Sequence, residues 1–406
     1  MAKTTRTAAI DIGTTKVACV VAETDAAKKT SIIGYGTAPP DGFKLGVVVN
    51  LDRATESVAS AVAAAEDMAG GKVKAYRTFV GVSGEHIKHI EGIGAVPVRK
   101  PAKGIGQRDV EDVIRQAQTI RLPNDEQILH VIPTQFIVDG QKGIRNPLGL
   151  FGVRLEVEAL LVIGAVTAIE NIYRVLERLD IRHRFLVLQA LACSFAVCEE
   201  DDKELGCALV DLGGTTELSV FREGEIRLVK SLKVGSSNIT KDVAIGLRTT
   251  FGQAEEVKCR HGVAMAGMVE QDETLEVDDA SGRGTKQVSR RLLASIIEPR
   301  VEEIFNLVDQ EIRKAATGEG LSGGVILTGG GSMLQGADVL AEQIMGMPVK
   351  LGLPDRLIGP KEVTRDPRFA TAVGLLKYGL EGRYLFEMPG SGIWDKLTED
   401  VRGWFS

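Results

Sequence analysis

Two stretches of the chain repeat one arrangement of apolar and polar positions. Ala8 to Ile10 is an apolar run that rises to Asp11, breaks at Gly13, Thr14 and Thr15, passes Lys16 and turns apolar again from Val17. Leu209 and Val210 likewise rise to Asp211, break at Gly213, Gly214, Thr215 and Thr216, and pass Glu217 into the β-prone run Leu218 to Phe221. Each reads as strand, tight turn, strand, because Gly and Thr punctuate two apolar segments. The chain therefore announces a hairpin twice.

Between and beyond the hairpins the periodicity alternates between strand and helix. After a first hairpin at about 7–23 and a strand-like run at 32–40, an Ala-rich helix is expected. Asp52 can cap it, Val58, Ala61, Val62, Ala65 and Met68 supply its apolar face, and Gly70-Gly71 ends it. A strand over 73–82 closes a β-β-α-β order typical of mixed α/β domains. From Glu85 to about Leu155 Gly and Pro are frequent. One helix over 107–120, with Val110, Val113, Ile114 and Ala117 at helical spacing, sits there between strand-like runs near 128–139 and 154–163. This is the pattern of a small inserted α+β subdomain.

The main fold resumes with a helix opened by a Thr167/Glu170 capping box, a strand at 185–188 and a small-residue helix at 189–198 that delivers the chain to the second hairpin. Ser236 or Ser237 can cap a helix ending near Phe251, and 253–261 reads as another. An acidic segment at 270–279 with a turn at 281–284 suggests an exposed hairpin. A long helix over 289–314 buries Ile297, Val301, Ile304, Phe305, Val308 and Ile312, and Pro299 is expected to kink or restart it. The apolar strand 325–328 runs into Gly329, Gly330, Gly331, Ser332 and Met333, followed by a helix from about Gly336. Asp366-Pro367 starts the last core helix, whose Ala370, Ala372 and Gly374 imply close contact with a neighbour.

Composition narrows the class. At 406 residues the chain exceeds what one hydrophobic core usually serves, so two lobes are expected. With 44% hydrophobic and 26% charged residues it is globular in type. A net charge of -6 without basic clusters argues against a nucleic-acid partner. Five scattered cysteines without a Cys-x-x-Cys pair suit a reducing compartment. The apolar stretch Ala159 to Ile169 is well short of the roughly 20 residues a membrane span needs, and Asp11 and Lys16 interrupt any signal-like run. A cytosolic chain without a spanning helix is expected.

A strand that ends in Asp and turns through Gly and Thr offers backbone N–H groups and hydroxyls to phosphate oxygens. One such turn says little. Two of them, with a strand running into three glycines, point to a nucleotide held between the lobes, with Asp11 and Asp211 facing the water shell of its Mg²⁺. His86 and His89 stand at i, i+3 but lack the companions of a metal site.

The segments Ile10 to Lys16, Val210 to Thr216 and Ile326 to Met333 resemble, in order and spacing, the two phosphate loops and the adenosine motif of the actin, sugar-kinase and heat-shock chaperone superfamily. That resemblance implies a two-lobed actin-like ATPase fold that binds ATP with Mg²⁺. Asp11, Gly13, Thr14, Thr15, Lys16, Asp211, Gly213, Gly214, Thr215 and Thr216 would hold the phosphates. Gly329, Gly330, Gly331, Ser332 and Met333 would hold the adenosine. It also implies that Gln189 positions the attacking water, although the Pro that usually follows is absent.

The match narrows to the FtsA family of bacterial division proteins on Glu199 to Gly206, Ala254 to Gly262, Ile297 to Arg300 and His130 to Pro133. By that resemblance Glu255 and Lys258 contact the ribose and adenine side, and 85–163 is the inserted subdomain IC. The remaining divisions would be IA at 1–84 and 164–205, IIA at 206–235, IIB at 236–320, IIA and a return to IA at 321–382, and a linker at 383–392. Implied partners are a second copy in a filament, other division proteins, and the C-terminal tail of FtsZ on IIB, with Arg300 and Glu303 as candidate contacts. ATP hydrolysis would be weak or absent.

The C-terminal segment 393–405 adds a physical signal. On a helix, Ile393, Trp394, Leu397, Val401, Trp404 and Phe405 fall within an arc of about 120°, and both tryptophans of the chain are among them. Such a face suits the headgroup boundary of a membrane. Asp395, Glu399 and Asp400 outnumber Lys396 and Arg402, so apolar burial rather than attraction to anionic lipid must supply the affinity. The expected location is the inner face of the cytoplasmic membrane at the division site. A PilM-like pilus-assembly protein and a small-molecule kinase of the same superfamily are the alternatives.

Overall fold

The computed structural model describes residues 4–182, 184–278, 284–316 and 320–381. Each announced hairpin lies inside a five-stranded sheet. β1 (Thr5–Ile12) and β2 (Val17–Thr24) pair antiparallel, from Thr5 opposite Thr24 to Ile12 opposite Val17, and β3 (Thr30–Ala38) extends the meander. Ala8 to Ile10 and Val17 to Val21 are covered on both faces, which is why they read as continuous apolar runs. Helix α1 (Leu51–Ala69) packs on this meander. Its cap is Asn50, whose side chain accepts from Arg53 N, and Asp52 lies within the first turn instead. Gly70 closes it in the left-handed region at φ 62°. Met68, assigned to the apolar face, points outward at 53% exposure. β4 (Arg77–Val82) then pairs parallel to β1.

The inserted segment has its own antiparallel sheet. Its members are β5 (Ile87–Pro97), α2 (Gln107–Ala117), β6 (Glu126–Val138), β7 (Gln141–Ile144) and β8 (Arg154–Ala165), in strand order β5-β8-β6-β7. Val110, Val113 and Ile114 of α2 meet Phe136, Leu155 and Leu161 in a separate core. β5 escapes the periodicity because its buried positions under α2 are Gly92 and Gly94, so apolar alternation is missing where the strand is most covered.

α3 (Val166–Arg178) returns the chain to the first lobe, beginning after Ala165 rather than through the expected capping box. β9 (Arg184–Leu188) completes the sheet in the order β9-β4-β1-β2-β3. α4 (Gln189–Val197) and α5 (Glu200–Leu205) lead out of it.

The second lobe repeats the plan. β10 (Cys207–Leu212) and β11 (Thr216–Arg222) pair antiparallel and β12 (Glu225–Leu232) extends them. α6 (Ser236–Gly246) has Ser236 as its first residue and Gly235 before it, and α7 (Phe251–His261) is capped by Thr250. β13 (Thr274–Asp278) and β14 (Thr285–Ser289) pair as expected, while most of their turn lies outside the described residues. α8 (Arg290–Ala315) runs as one element through Pro299 and buries the apolar face read from the sequence.

β15 (Val325–Thr328), α9 (Ala337–Met345) and β16 (Val349–Leu351) complete a sheet of order β12-β11-β10-β15-β16. It matches the first sheet: an antiparallel meander, then two parallel strands beyond its first member. Alternate residues of β10 face different cores, Leu209 toward the first lobe and Ala208 and Val210 toward the second. α10 (Ala370–Glu381), entered through Asp366 as an N-cap, packs on α4 and on β1, β2 and β4. The segment 393–405 lies outside the described residues.

Candidate functional site

The two hairpin turns meet. Thr14 Oγ1 and Thr215 Oγ1 share a hydrogen at 3.1 Å across the junction of the lobes. Beside this contact opens a cleft of about 710 Å³. Asp11, Gly13, Thr14, Thr15 and Lys16 line it from one hairpin, Asp211, Gly213, Gly214 and Thr215 from the other. Gly329, Gly330, Gly331 and Met333 after β15, Glu255 and Lys258 of α7, and Gln189 at the start of α4 complete most of the wall. A volume of this size is within the range that takes a small ligand or cofactor.

Two residues selected with these do not reach the cleft. Thr216 is fully buried and its hydroxyl donates to Val234 O at 2.8 Å, while Ser332 donates to Gly329 O at 2.7 Å. Both brace the loops from behind. Arg300 and Glu303 lie apart on α8, where Arg300 Nε donates to Asp242 Oδ2 of α6 at 2.6 Å and the guanidinium also pairs with Glu303. The candidate membrane residues Ile393, Trp394, Leu397, Val401, Trp404 and Phe405 are outside the described residues.

The cleft gathers negative charge in a poorly hydrated place. Gln189 Nε2 donates to Asp11 Oδ1 at 2.9 Å and to Ile12 O at 3.0 Å. Burial pushes the Asp11 carboxyl above its ordinary range; Lys16 opposes the shift and Asp211 adds to it. Burial lowers Lys16 in turn, and its ammonium sits 3.7 Å from the centre of the Phe369 ring. Asp211 is raised by burial, against a hydrogen bond from Thr371 Oγ1 at 2.9 Å. Glu217 stands directly opposite Asp211 in the β10–β11 ladder. Burial pushes it up to about 8, although Ser231 Oγ donates to it at 2.7 Å.

Three carboxylates so placed resist ionising together, and a divalent cation would relieve them. Among the described residues no cluster of three or more His, Cys, Asp or Glu is arranged to hold a metal ion. The two cleft carboxylates Asp11 and Asp211 nevertheless fit Mg²⁺, which keeps its waters and takes few direct protein ligands. Gly329 lies at φ 82°, and a Cβ there would come within 2.2 Å of Asp211 Oδ1, so the third loop approaches Asp211 only as glycine.

At the other end of the cleft, Lys258 Nζ is bonded to Glu255 Oε2 at 2.7 Å, Thr240 Oγ1 at 2.8 Å and Ser236 O at 3.3 Å. The pair is a fixed network and not a solvated helix face. Sequence reading missed Glu217, Thr371, Arg368 and Ser236, all of which line the same cavity. Glu217 was findable: a two-strand ladder closing at Leu212 and Thr216 must set it across from Asp211. Thr371 and Arg368 come from a distant segment and carry no local signal.

Known proteins resemble this chain both in sequence and in fold. The family model described as "Cell division protein FtsA" matches residues 208–374, and "SHS2 domain inserted in FTSA" matches residues 84–163. The cell division protein FtsA of Pseudomonas aeruginosa is 39% identical over 409 residues, covering 98% of this chain and 97% of that protein. Among solved structures, the PilM-PilN type IV pilus biogenesis complex aligns with a TM-score of 0.65 at 16% identity, covering 92% of this chain and 98% of that one. MreB5 of Spiroplasma citri bound to AMPPNP aligns at 0.53 and 12% identity, covering 98% and 99%. These two likenesses establish an actin-like fold, and the second family model marks an SHS2 domain inserted in it. With identity at this level running nearly end to end, the chain belongs to the FtsA family of cell division proteins.

Proposed function

We propose that the cleft binds ATP with Mg²⁺ and that the nucleotide-bound chain forms filaments that tether FtsZ to the inner face of the cytoplasmic membrane. The observation that carries the nucleotide reading is the meeting of the two turns at Thr14 and Thr215, with Asp11 and Asp211 on the walls beside them. Backbone N–H groups and hydroxyls of residues 14–15 and 213–215 would surround the terminal phosphates from both lobes, and Lys16 would neutralise them. Glu255, Lys258 and the 329–333 loop would hold the ribose and base. Mg²⁺, when bound, supplies positive charge to the phosphates through waters facing Asp11 and Asp211. Gln189 donates its amide N–H to Asp11, which leaves its carbonyl oxygen to orient a water.

The membrane role rests on the sequence alone, by which Ile393, Trp394, Leu397, Val401, Trp404 and Phe405 would share one face if 393–405 were helical. A single short helix of this kind binds reversibly, and filament formation would present many at once. The FtsZ tail is assigned to subdomain IIB, 236–320, near Arg300 and Glu303. Membership in a family of cell division proteins supports both assignments over pilus assembly or small-molecule phosphorylation.

Calorimetric titration tests the nucleotide reading. Mg-ATP should bind the wild-type chain, and Asp211→Ala should abolish binding; unchanged affinity in the variant would refute it. Trp394→Glu should release the chain from sedimenting liposomes, and persistent co-pelleting would rule out 393–405 as the anchor.

A further inference from the structure

α4 carries the chain from the first lobe to the second, and α10 brings it back. The two helices touch through their backbones, since a Cβ on Gly374 would come within 2.0 Å of Ala192 O. Each supplies a side chain from its first turn to the carboxylate of one hairpin. Gln189 Nε2 of α4 donates to Asp11 Oδ1 at 2.9 Å, and Thr371 Oγ1 of α10 donates to Asp211 Oδ2 at 2.9 Å. The pseudo-symmetry of the two lobes thus extends to the connections between them.

We propose that Thr371 is a positioning residue for the cation site. From the returning helix it fixes Asp211 Oδ2, so that Oδ1, which lies beside the cleft residues Gly213 and Gly329, is the oxygen presented to the water shell of Mg²⁺. This deepens the nucleotide reading above and rests on it. Three features suit the role. Thr371 is only 5% exposed, so water does not compete for its hydroxyl. Its β-branched side chain is stiff at χ1, which fixes the direction of the bond. A hydroxyl donating to a carboxylate makes a hydrogen bond of the stronger, charge-assisted kind.

The bond also crosses the junction of the lobes. Thr371 belongs to a helix packed on the first sheet, and Asp211 to the second. A rotation of one lobe against the other therefore redirects Asp211 as well as the phosphate turns.

The test compares ATP affinity in Mg²⁺ with ATP affinity in EDTA, by calorimetry, for the full chain and its variants. In wild type, Mg²⁺ should strengthen ATP binding. Thr371→Val, nearly isosteric but without the hydroxyl, should lose about tenfold or more of affinity in Mg²⁺ and little in EDTA, because a hydrogen bond to a charged group is removed. Thr371→Ser should restore the Mg²⁺ gain. If Thr371→Val does not fold, Thr371→Ala carries the same comparison. Equal losses with and without Mg²⁺, or a full Mg²⁺ gain without the hydroxyl, overturn the proposal. A wild-type chain that binds no ATP overturns the reading of the cleft, and this assignment with it.

Discussion

Replacing Glu217 by Gln should stabilise the nucleotide-free chain, and by an amount that depends on pH. The wild-type carboxyl is buried, faces Asp211 across the ladder and is pushed from an ordinary 4.5 up to about 8. An acid whose folded value is raised contributes nothing adverse below its unfolded value and costs stability increasingly as pH rises toward the folded one. Each tenfold change in proton affinity between the folded and unfolded chain corresponds to about 1.4 kcal/mol. The cost is then about 1.5 kcal/mol at pH 5.5 and about 3 kcal/mol at pH 7, as upper values, since a buried amide must also find partners. Ser231 Oγ, now a donor to Glu217, can donate to the Gln carbonyl oxygen instead. Urea unfolding of both proteins at pH 5.5, 6.2 and 7, in Mg²⁺-free buffer, gives the difference directly. It should favour the variant and grow with pH. A difference that is flat with pH, or a variant less stable than wild type at pH 7, would refute the argument that Glu217 is held in a charge-hostile place.

Three other perturbations follow from packing and burial. Gly374→Ala places a Cβ 2.0 Å from Ala192 O, a backbone atom, so the lobe-crossing helices must part. A loss of about 2 kcal/mol or more is expected by urea unfolding, together with weaker Mg-ATP binding. Gly252→Ala, in the first turn of α7 with nothing within 4 Å, should be neutral or stabilising by about 0.5 kcal/mol. His130 is fully buried, accepts from Leu188 N through Nε2 at 3.1 Å, and is pushed by burial down to about 4. Between the ordinary 6.5 and about 4 the unfolded chain takes a proton that the folded chain refuses, so this residue removes up to about 3 kcal/mol as pH falls through that window. His130→Gln, which keeps an acceptor and does not titrate, should lose less stability than wild type between pH 7 and pH 4.5 in thermal unfolding. An identical decline in both would contradict this.

The hairpins were legible because Asp, Gly and Thr break an apolar run in a way that strands and turns alone explain. α1, α2 and α8 were legible by their 3.6-residue period, and Asp366 by its cap. What escaped did so for physical reasons. β5 hides its period behind Gly92 and Gly94, where closeness to α2 leaves no room for an apolar side chain. α5 lies in a charged run, and β12 is an edge strand with a half-exposed face. Caps shifted where two polar residues compete, as Asn50 and Asp52 do, since only the extended backbone of Asn50 lets its side chain reach back to Arg53 N. In the cleft, the residues on the turns could be read from their own neighbourhood. Glu217 needed the strand register, and Thr371 needed the fold, because a small residue in an apolar helix signals close packing and not a bond to a carboxylate from the other lobe.

The central claim, that Asp11 and Asp211 face one cation on a nucleotide clamped by both turns, is tested most directly by a crystal structure with a non-hydrolysable ATP analogue and Mn²⁺ in place of Mg²⁺. One anomalous peak is expected between the two carboxylates, with phosphates against residues 13–15 and 213–215 and the base near Glu255 and Lys258. A nucleotide bound away from the two turns, or a cation peak remote from Asp11 and Asp211, would contradict it.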